Sequence, residues 1–367
     1  MKASHWTYTY TFKTPAGTSR GVMTSKPAHF IDVESQGLRG QGECGLLPGL
    51  SVDDRPDYAA QLDQICRELS ALSDTTWADW ARQRRLDPEW AATWVDWPSL
   101  VFAVEQALLT WADRAQGGQG TRVADTSFSR GEAGIPINGL LWMGSSCYLH
   151  DQSEARLTEG FRCLKMKVGA LDFETECDVL RHNRSLDPSL ELRVDANGAW
   201  PGDLALERMN ALREFNLHSI EQPCPPSDRA GLKAAALSGT LPVALDESLI
   251  GVHNAADRDA LLDEIEPQFI VLKPSLLGGI SSSEDWISRA RARGIKYWIT
   301  SALEGSVGLS AIAQWASTLP DLVGYQGFGT GSLSPTTFRR ALRCAAVNSG
   351  CCEPRTSPKT SCAAGGT

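Results

Sequence analysis

Leu164-Lys165-Met166-Lys167-Val168-Gly169 sets two lysines at alternate positions of an otherwise apolar run. Side chains alternate between the two faces of a strand, so both lysines point one way and Met166 the other. A strand buried in a parallel sheet is expected to be apolar on both faces, and the lysines therefore need a reason. Four later runs end in the same manner: Arg193-Val194-Asp195-Ala196-Asn197, Ile220-Glu221-Gln222-Pro223, Leu245-Asp246-Glu247-Ser248 and Val271-Leu272-Lys273-Pro274.

These runs belong to a series of eight: Ile135–Gly139, Cys163–Val168, Leu190–Asp195, His218–Glu221, Pro242–Asp246, Phe269–Lys273, Tyr297–Ser301 and Val323–Gln326. Neighbouring runs start about 22 to 29 residues apart, enough for a strand, a crossover helix and two loops. Eight such units predict a (β/α) barrel. An open doubly wound sheet is the rival, but no Gly-x-Gly-x-x-Gly follows the first run. In a barrel the C-terminal ends of the strands carry the active site, where the charged residues fall.

The residues before the barrel read differently. Trp6, Tyr8, Tyr10 and Phe12 alternate with polar residues as in a strand, and Val22–Val33 reads as a second one. Tyr58, Leu62, Ile65, Leu69 and Leu72 recur at helical spacing, as do Leu100, Val104, Leu108 and Trp111. Trp77, Trp80, Trp90, Trp94 and Trp97 between them read as packing. The organisation expected is an α+β capping domain over 1–130, a barrel over 131–345 and a flexible tail over 346–367. A chain of 367 residues, 42% hydrophobic and 22% charged, suits such a soluble two-domain globular protein.

A net charge of -9 without a Lys/Arg block argues against nucleic acid or an anionic membrane as partner. The N-terminus lacks the basic start and apolar run of a signal peptide, and no transmembrane-length apolar stretch follows. Ten cysteines are scattered without metal-type spacing, which reads as reduced thiols in a cytoplasm.

Asp195, Glu221 and Asp246 stand one strand–helix unit apart, which delivers three carboxylates to one mouth. Alone, each reads equally as a helix N-cap or a salt-bridge partner. Together they would repel one another without a cation, and three hard oxygen donors suit Mg²⁺, with Mn²⁺ as an alternative. Lys165 and Lys167 are expected to disfavour each other's charge, leaving one able to act as a neutral base. Lys273 enters from the opposite wall. Two lysines flanking a metal suit removal of a proton next to a carboxylate, because the charge that gathers on the carboxylate oxygens is stabilised by a cation.

These motifs resemble the enolase superfamily, in the muconate lactonizing branch. The match rests on Lys165-Met166-Lys167, Asp195-Ala196-Asn197-Gly198-Ala199-Trp200, Glu221-Gln222-Pro223, Asp246-Glu247-Ser248 and Lys273-Pro274, in order, and spans residue 1 to about 345. The resemblance implies a modified (β/α)7β barrel under an N-terminal α+β cap, with the last helix joining the cap. Within the branch, Thr18-Ser19-Arg20-Gly21, Ile135-Pro136-Ile137-Asn138-Gly139, Ser301-Ala302-Leu303-Glu304-Gly305-Ser306 and Gly329-Thr330-Gly331-Ser332-Leu333 are most similar to the o-succinylbenzoate synthase family of menaquinone biosynthesis.

That resemblance implies a syn dehydration in which Lys167 is base and then acid, Lys273 a cation over the ring, and Lys165 a modulator of Lys167. It implies Asp195, Glu221 and Asp246 as metal ligands, and a small anionic carboxylate as substrate. Asn197, Ser301, Gly329, Gly331 and Arg20 are the expected substrate contacts. Dipeptide epimerases hold an α-ammonium group with an Asp-x-Asp after the last strand, whereas Tyr325-Gln326-Gly327-Phe328-Gly329-Thr330-Gly331 has no carboxylate. Strand seven ends in Thr300-Ser301, without the histidine of mandelate racemase-like members. An N-acylamino acid racemase or muconate cycloisomerase on the same scaffold remains open at this point, as does a non-catalytic barrel.

Overall fold

The computed structural model describes residues 1–18 and 21–332 of the chain. The first region is a three-stranded antiparallel sheet, β1 (Lys2–Thr18), β2 (Gly21–Ser35) and β3 (Leu38–Glu43), in the order β1-β2-β3. Four helices follow: α1 (Tyr58–Ala71), α2 (Asp74–Gln83), α3 (Pro88–Thr93) and α4 (Pro98–Ala115). Their starts are written locally. Ser73 accepts from Thr76 N at α2, and Asp87 accepts from Trp90 N at α3, where Pro88 fills the first turn. Trp77, Trp80, Trp94 and Trp97 pack in one core with Leu62, Ile65 and Leu100, as their spacing predicts.

The second region is a seven-stranded parallel sheet, β4 (Gly139–Leu141), β5 (Cys163–Lys167), β6 (Glu191–Asp195), β7 (Ser219–Glu221), β8 (Val243–Leu245), β9 (Phe269–Leu272) and β10 (Lys296–Ile299). The strands lie in chain order, each paired with its sequence neighbour. Between and after them run α5 (Ser146–Thr158), α6 (Phe173–Leu186), α7 (Gly202–Leu212), α8 (Arg229–Leu237), α9 (Ala255–Ile265), α10 (Pro274–Leu277), α11 (Gly279–Ala292) and α12 (Ser306–Ala316). This is the modified barrel with an N-terminal α+β cap.

Two runs differ from expectation. The first is extended only at Gly139–Leu141, because Pro136 has no N–H and Ile137 forms a single bridge to Gln326. The eighth is reduced to Gln326 and Gly327, which bridge Ile137 and Thr300 respectively and so close the ring. Gln326 sustains this short seam with its side chain, whose Oε1 accepts from Ile299 N at 2.8 Å. The tail, and the last helix that the resemblance assigns to the cap, lie outside the described residues.

Helix α4 joins the two regions. Nearly all of it is buried, with Leu100, Val104 and Leu108 in the cap core and Phe102 and Leu109 in the barrel core. Strand β3 reaches it through glycine: a Cβ on Gly42 would fall 1.9 Å from Ala103 O. On the barrel side, buried Glu105 accepts from Ile280 N and, at 3.0 Å, from Ser281 N, so its carboxylate caps α11.

Burial pushes the Glu105 carboxyl up to about 7 despite those bonds. A folded-state value above the unfolded one means the folded protein holds the extra proton, so this contribution is lost as pH rises from about 4.5 to about 7. The loss amounts to roughly 3 kcal/mol. Urea unfolding of wild type and Glu105→Gln across that window should show a pH slope in the former that is reduced in the latter.

Candidate active site

Strand β5 obeys the alternation read from its sequence: Leu164 and Met166 are buried toward the helices, while Lys165 and Lys167 face the barrel interior. The parallel register sets Lys167 beside Asp195 and Asp195 beside Glu221. Glu221 pairs with Ala244, which leaves Asp246 one inward position further along, and Lys273 follows one further again. This staircase is what tilted barrel strands produce. It gathers the predicted lysines and carboxylates at one mouth.

Lys165 Nζ lies 2.8 Å from Asp195 Oδ2 and 2.6 Å from Glu221 Oε2. Lys167 Nζ lies 2.5 Å from the same Asp195 oxygen and 2.6 Å from Asn197 Oδ1. Lys273 pairs with Asp246, and Asn197 Nδ2 donates to Glu247 Oε1 at 2.8 Å. Burial pulls the Lys165 ammonium down, but Asp195 and Glu221 outweigh it and hold it above the usual lysine range. Mutual repulsion of the two lysines does not prevail at Lys165, because a carboxylate stands between the two ammonium groups. Lys273 is raised in the same way, with Asp246 and Glu247 overcoming its burial.

The carboxylates divide. Burial pushes Asp195 up, but Lys165 and Lys167 bring it well below the ordinary range. Glu221 goes far above it, through burial and the negative charge of Asp195. Its Oε1 is buried and accepts no hydrogen bond among the described residues. As the side chains lie, ammonium groups sit on the acids, and no three acidic, histidine or cysteine groups among the described residues surround one point. Four carboxylates, Asp195, Glu221, Asp246 and Glu247, meet three ammonium groups. A buried Glu221 oxygen without a hydrogen-bond partner among the described residues, beside Asp195 and Asp246, fits a hard dication held by those three acids.

The cavity above this layer measures about 110 Å³. Leu47, Leu50, Leu140, Trp142, Trp298 and Leu303 supply its apolar walls, and Asn138, Asn197, Thr300, Ser301 and Thr330 its polar groups. Lys165, Lys167 and Lys273 also line it, and among the described residues no carboxylate does. A larger open depression beside Ala3, His5 and Asp63 brings together no comparable chemistry.

Among the expected substrate contacts, Asn197, Ser301 and Gly329 line the cavity. Asn197 adopts φ +46° and spans Lys167 and Glu247, so it also positions both. Ser301 Oγ and Thr330 Oγ1 are 2.5 Å apart. Gly331 lies in the turn Gly329–Ser332 beside this wall, and Arg20 lies outside the described residues. His218, at the opposite end of β7, bonds Ser219 Oγ and packs on Phe269, a structural setting.

Two residues escaped the sequence reading. Strict alternation turns Glu247 away from Asp246, but the chain breaks at Asp246 (φ -124°, ψ -80°) into a 3₁₀ turn that swings Glu247 inward. Gln222, fully buried at φ +43°, accepts from Asp246 N and Ser248 N and donates to Ser248 Oγ and Cys224 O. A glutamine between an acid and a proline gives no signal of that role.

Residues 149–347 match the family described as Enolase C-terminal domain-like. The o-succinylbenzoate synthase of Desulfotalea psychrophila is 45% identical over 345 residues, covering 88% of this chain and 91% of that protein. The chain belongs to the enolase superfamily. Another relative in that superfamily's range, the o-succinylbenzoate synthase of Thermosynechococcus vestitus, is 29% identical over 81% of this chain and 83% of its own. The crystal structure of MenC from Desulfotalea psychrophila superposes with a TM-score of 0.78 at 38% identity, covering 92% of this chain and 96% of the other. Enolase superfamily enzymes use Mg²⁺, in keeping with the donor set at the mouth of this barrel.

Replacing Gln222 with alanine leaves the Asp246 and Ser248 amides and the Cys224 carbonyl without their partner. The expected destabilisation is roughly 2–4 kcal/mol, since each buried unsatisfied group costs about 1–3 kcal/mol. Urea unfolding at constant pH measures it.

Proposed function

We propose that this protein is an o-succinylbenzoate synthase, removing water from 2-succinyl-6-hydroxy-2,4-cyclohexadiene-1-carboxylate in menaquinone biosynthesis. One observation carries the reading: a cavity lined, among the described residues, by three lysines and no carboxylate, with apolar walls from Trp142, Trp298, Leu47 and Leu50. Such a lining suits a carbocyclic ring bearing two carboxylates. It offers nothing to hold an α-ammonium group.

Lys167 is the base. In its neutral form Nζ takes the proton from the ring carbon that bears the carboxylate, and the C–H pair moves toward the carboxylate carbon. The same ammonium then returns that proton to the neighbouring hydroxyl, the C–O bond breaks, and water leaves from the same face as the ring becomes aromatic. Asn197 Oδ1 orients Lys167. Lys273 offers positive charge to the ring and carboxylate from the facing strand, and Lys165 keeps Asp195 and Glu221 neutralised and in place. Bound at Asp195, Glu221 and Asp246, Mg²⁺, or Mn²⁺ in its stead, would supply Lewis-acid stabilisation of the developing carboxylate charge. Ser301 and the Gly329–Gly331 turn face the succinyl arm.

Supporting the cytoplasmic setting, the six cysteines among the described residues are free thiols, and no helix among those residues is long and apolar enough to cross a membrane. The cap over 1–130, the barrel over 131–345 and the tail beyond them are the domain boundaries of this reading. Helix α4 binds the first two into one cooperative unit.

The test follows the diene chromophore in the ultraviolet with Mg²⁺ present. Wild type should dehydrate the substrate, lose activity with EDTA and regain it with Mg²⁺. Lys167→Ala should lower kcat by about 10³-fold or more while its circular dichroism stays that of wild type. Solvent deuterium entering an N-acylamino acid, with the cyclohexadiene left intact, would replace this reading by a racemase.

A further inference from the structure

Lys26 takes no part in the chemistry above, yet it is among the largest fully buried side chains of the protein. It leaves cap strand β2 and crosses to the barrel, where Nζ donates to Leu303 O at 3.0 Å and Ala302 O at 3.3 Å. Both carbonyls belong to the loop between β10 and α12. Leu303 holds φ +63°, a left-handed conformation that a branched hydrophobic side chain adopts only under constraint. Ala302 and Leu303 also form one wall of the cavity, with Leu47 and Leu50 of the cap beside them.

Two buried glutamates complete the constraint. Glu304 Oε2 accepts from Ala302 N at 2.7 Å, and its Oε1 accepts from Ser275 Oγ at 2.5 Å, two residues after Lys273. Glu43, at the end of β3, accepts from Gly305 N at 2.6 Å and Gly308 N at 2.9 Å, at the start of α12. The fit leaves no slack: a Cβ on Gly305 would fall 2.0 Å from the Tyr10 hydroxyl, and one on Gly45 2.7 Å from Ser275 Cβ. Burial lowers the Lys26 ammonium, and Glu304 and Glu43 oppose that effect. Burying a lysine among peptide carbonyls is costly, and a methionine would anchor the cap as well. The ammonium adds two directed bonds on either side of the strained residue.

We propose that Lys26 is a positioning residue for substrate binding: from the cap it clamps the Ala302–Leu303 carbonyls, holds Leu303 left-handed, and thereby sets the cavity wall that meets the substrate. This rests on the synthase reading for its substrate, though the clamp itself does not. It assigns Lys26 an effect on binding and leaves proton transfer at Lys167 untouched.

Lys26→Met and Lys26→Gln, checked for fold by circular dichroism, separate the clamp from a simple anchor. In Lys26→Met, KM and the calorimetric Kd for o-succinylbenzoate should rise about tenfold, the effect of losing a charged hydrogen bond, with kcat within about threefold. Amide hydrogen exchange at 302–305, read without ligand, should quicken while α4 and the barrel strands keep wild-type protection. Lys26→Gln, whose amide can donate to both carbonyls, should recover most of the binding. Unchanged exchange at 302–305 in folded Lys26→Met overturns the proposal, whatever the turnover. If Lys26→Met fails to fold, the charge-balanced double variant Lys26→Met/Glu304→Gln takes its place under the same criteria. Faster loop exchange in a protein without dehydratase activity would uphold the clamp and remove only the synthase reading.

Discussion

Seven ionisable side chains crowd the mouth of the barrel, and the protein can hold them there only because their charges nearly cancel. Asp195 is the pivot, since one of its oxygens takes both Lys165 and Lys167. Lys165 passes the neutralisation on to Glu221, and Lys273 does the same for Asp246. Removing Lys273 or Asp246 would strand the other's buried charge, which costs more than the pair contributes, whereas Asp195 keeps Lys165 when Lys167 is lost. The strain of that crowding shows at Glu221, whose carboxyl is pushed far above the ordinary range by burial and Asp195 and whose Oε1 accepts no hydrogen bond among the described residues. On the function proposed above, such a site would take a dication at its acids and present its lysines to an anionic substrate, so one arrangement would serve folding, metal affinity and substrate charge.

That charge layer demands a lid, because water reaching it would weaken every interaction in it. The cap supplies Leu47 and Leu50 to the cavity, and its attachment is unusually polar for a buried contact. Glu105 caps α11, while Lys26, Glu43 and Glu304 bind the loop after β10. Apolar packing along α4 holds the two regions together. Directed hydrogen bonds fix how they meet, and a site that must align a proton donor and a leaving hydroxyl depends on that alignment.

What could be read from the sequence followed from periodicity. Alternation within β5 placed Lys165 and Lys167 on one face, and the regular spacing of the strand ends brought Asp195, Glu221, Asp246 and Lys273 to one mouth. Where the backbone leaves its period, the reading fails. Glu247 was hidden by the turn at Asp246, the first strand was displaced by Pro136, and the eighth shrank to two residues once the Gln326 side chain took over a backbone role. Lys26 was opaque for another reason, since a lysine in an amphipathic strand reads as solvated and only tertiary structure places it at the centre of an interface.

The same division separates chemistry from specificity. Proton abstraction beside a carboxylate is encoded on strands, whose geometry is regular and whose residues can be ordered by counting. Substrate choice is encoded on loops: Leu47 and Leu50 from the cap, Ser301 to Leu303 after β10, and Gly327 to Thr330 at the closing seam. Loops of this kind change readily while strands stay fixed, so one scaffold can serve different reactions. Among the described residues, the loops contribute apolar surface, hydroxyls and glycine backbone to the cavity lining, and no acid. With three lysines lining the cavity and their acids behind them, an anionic substrate meets ammonium groups first, and a cationic ligand would find no acid among the described lining residues to pair with.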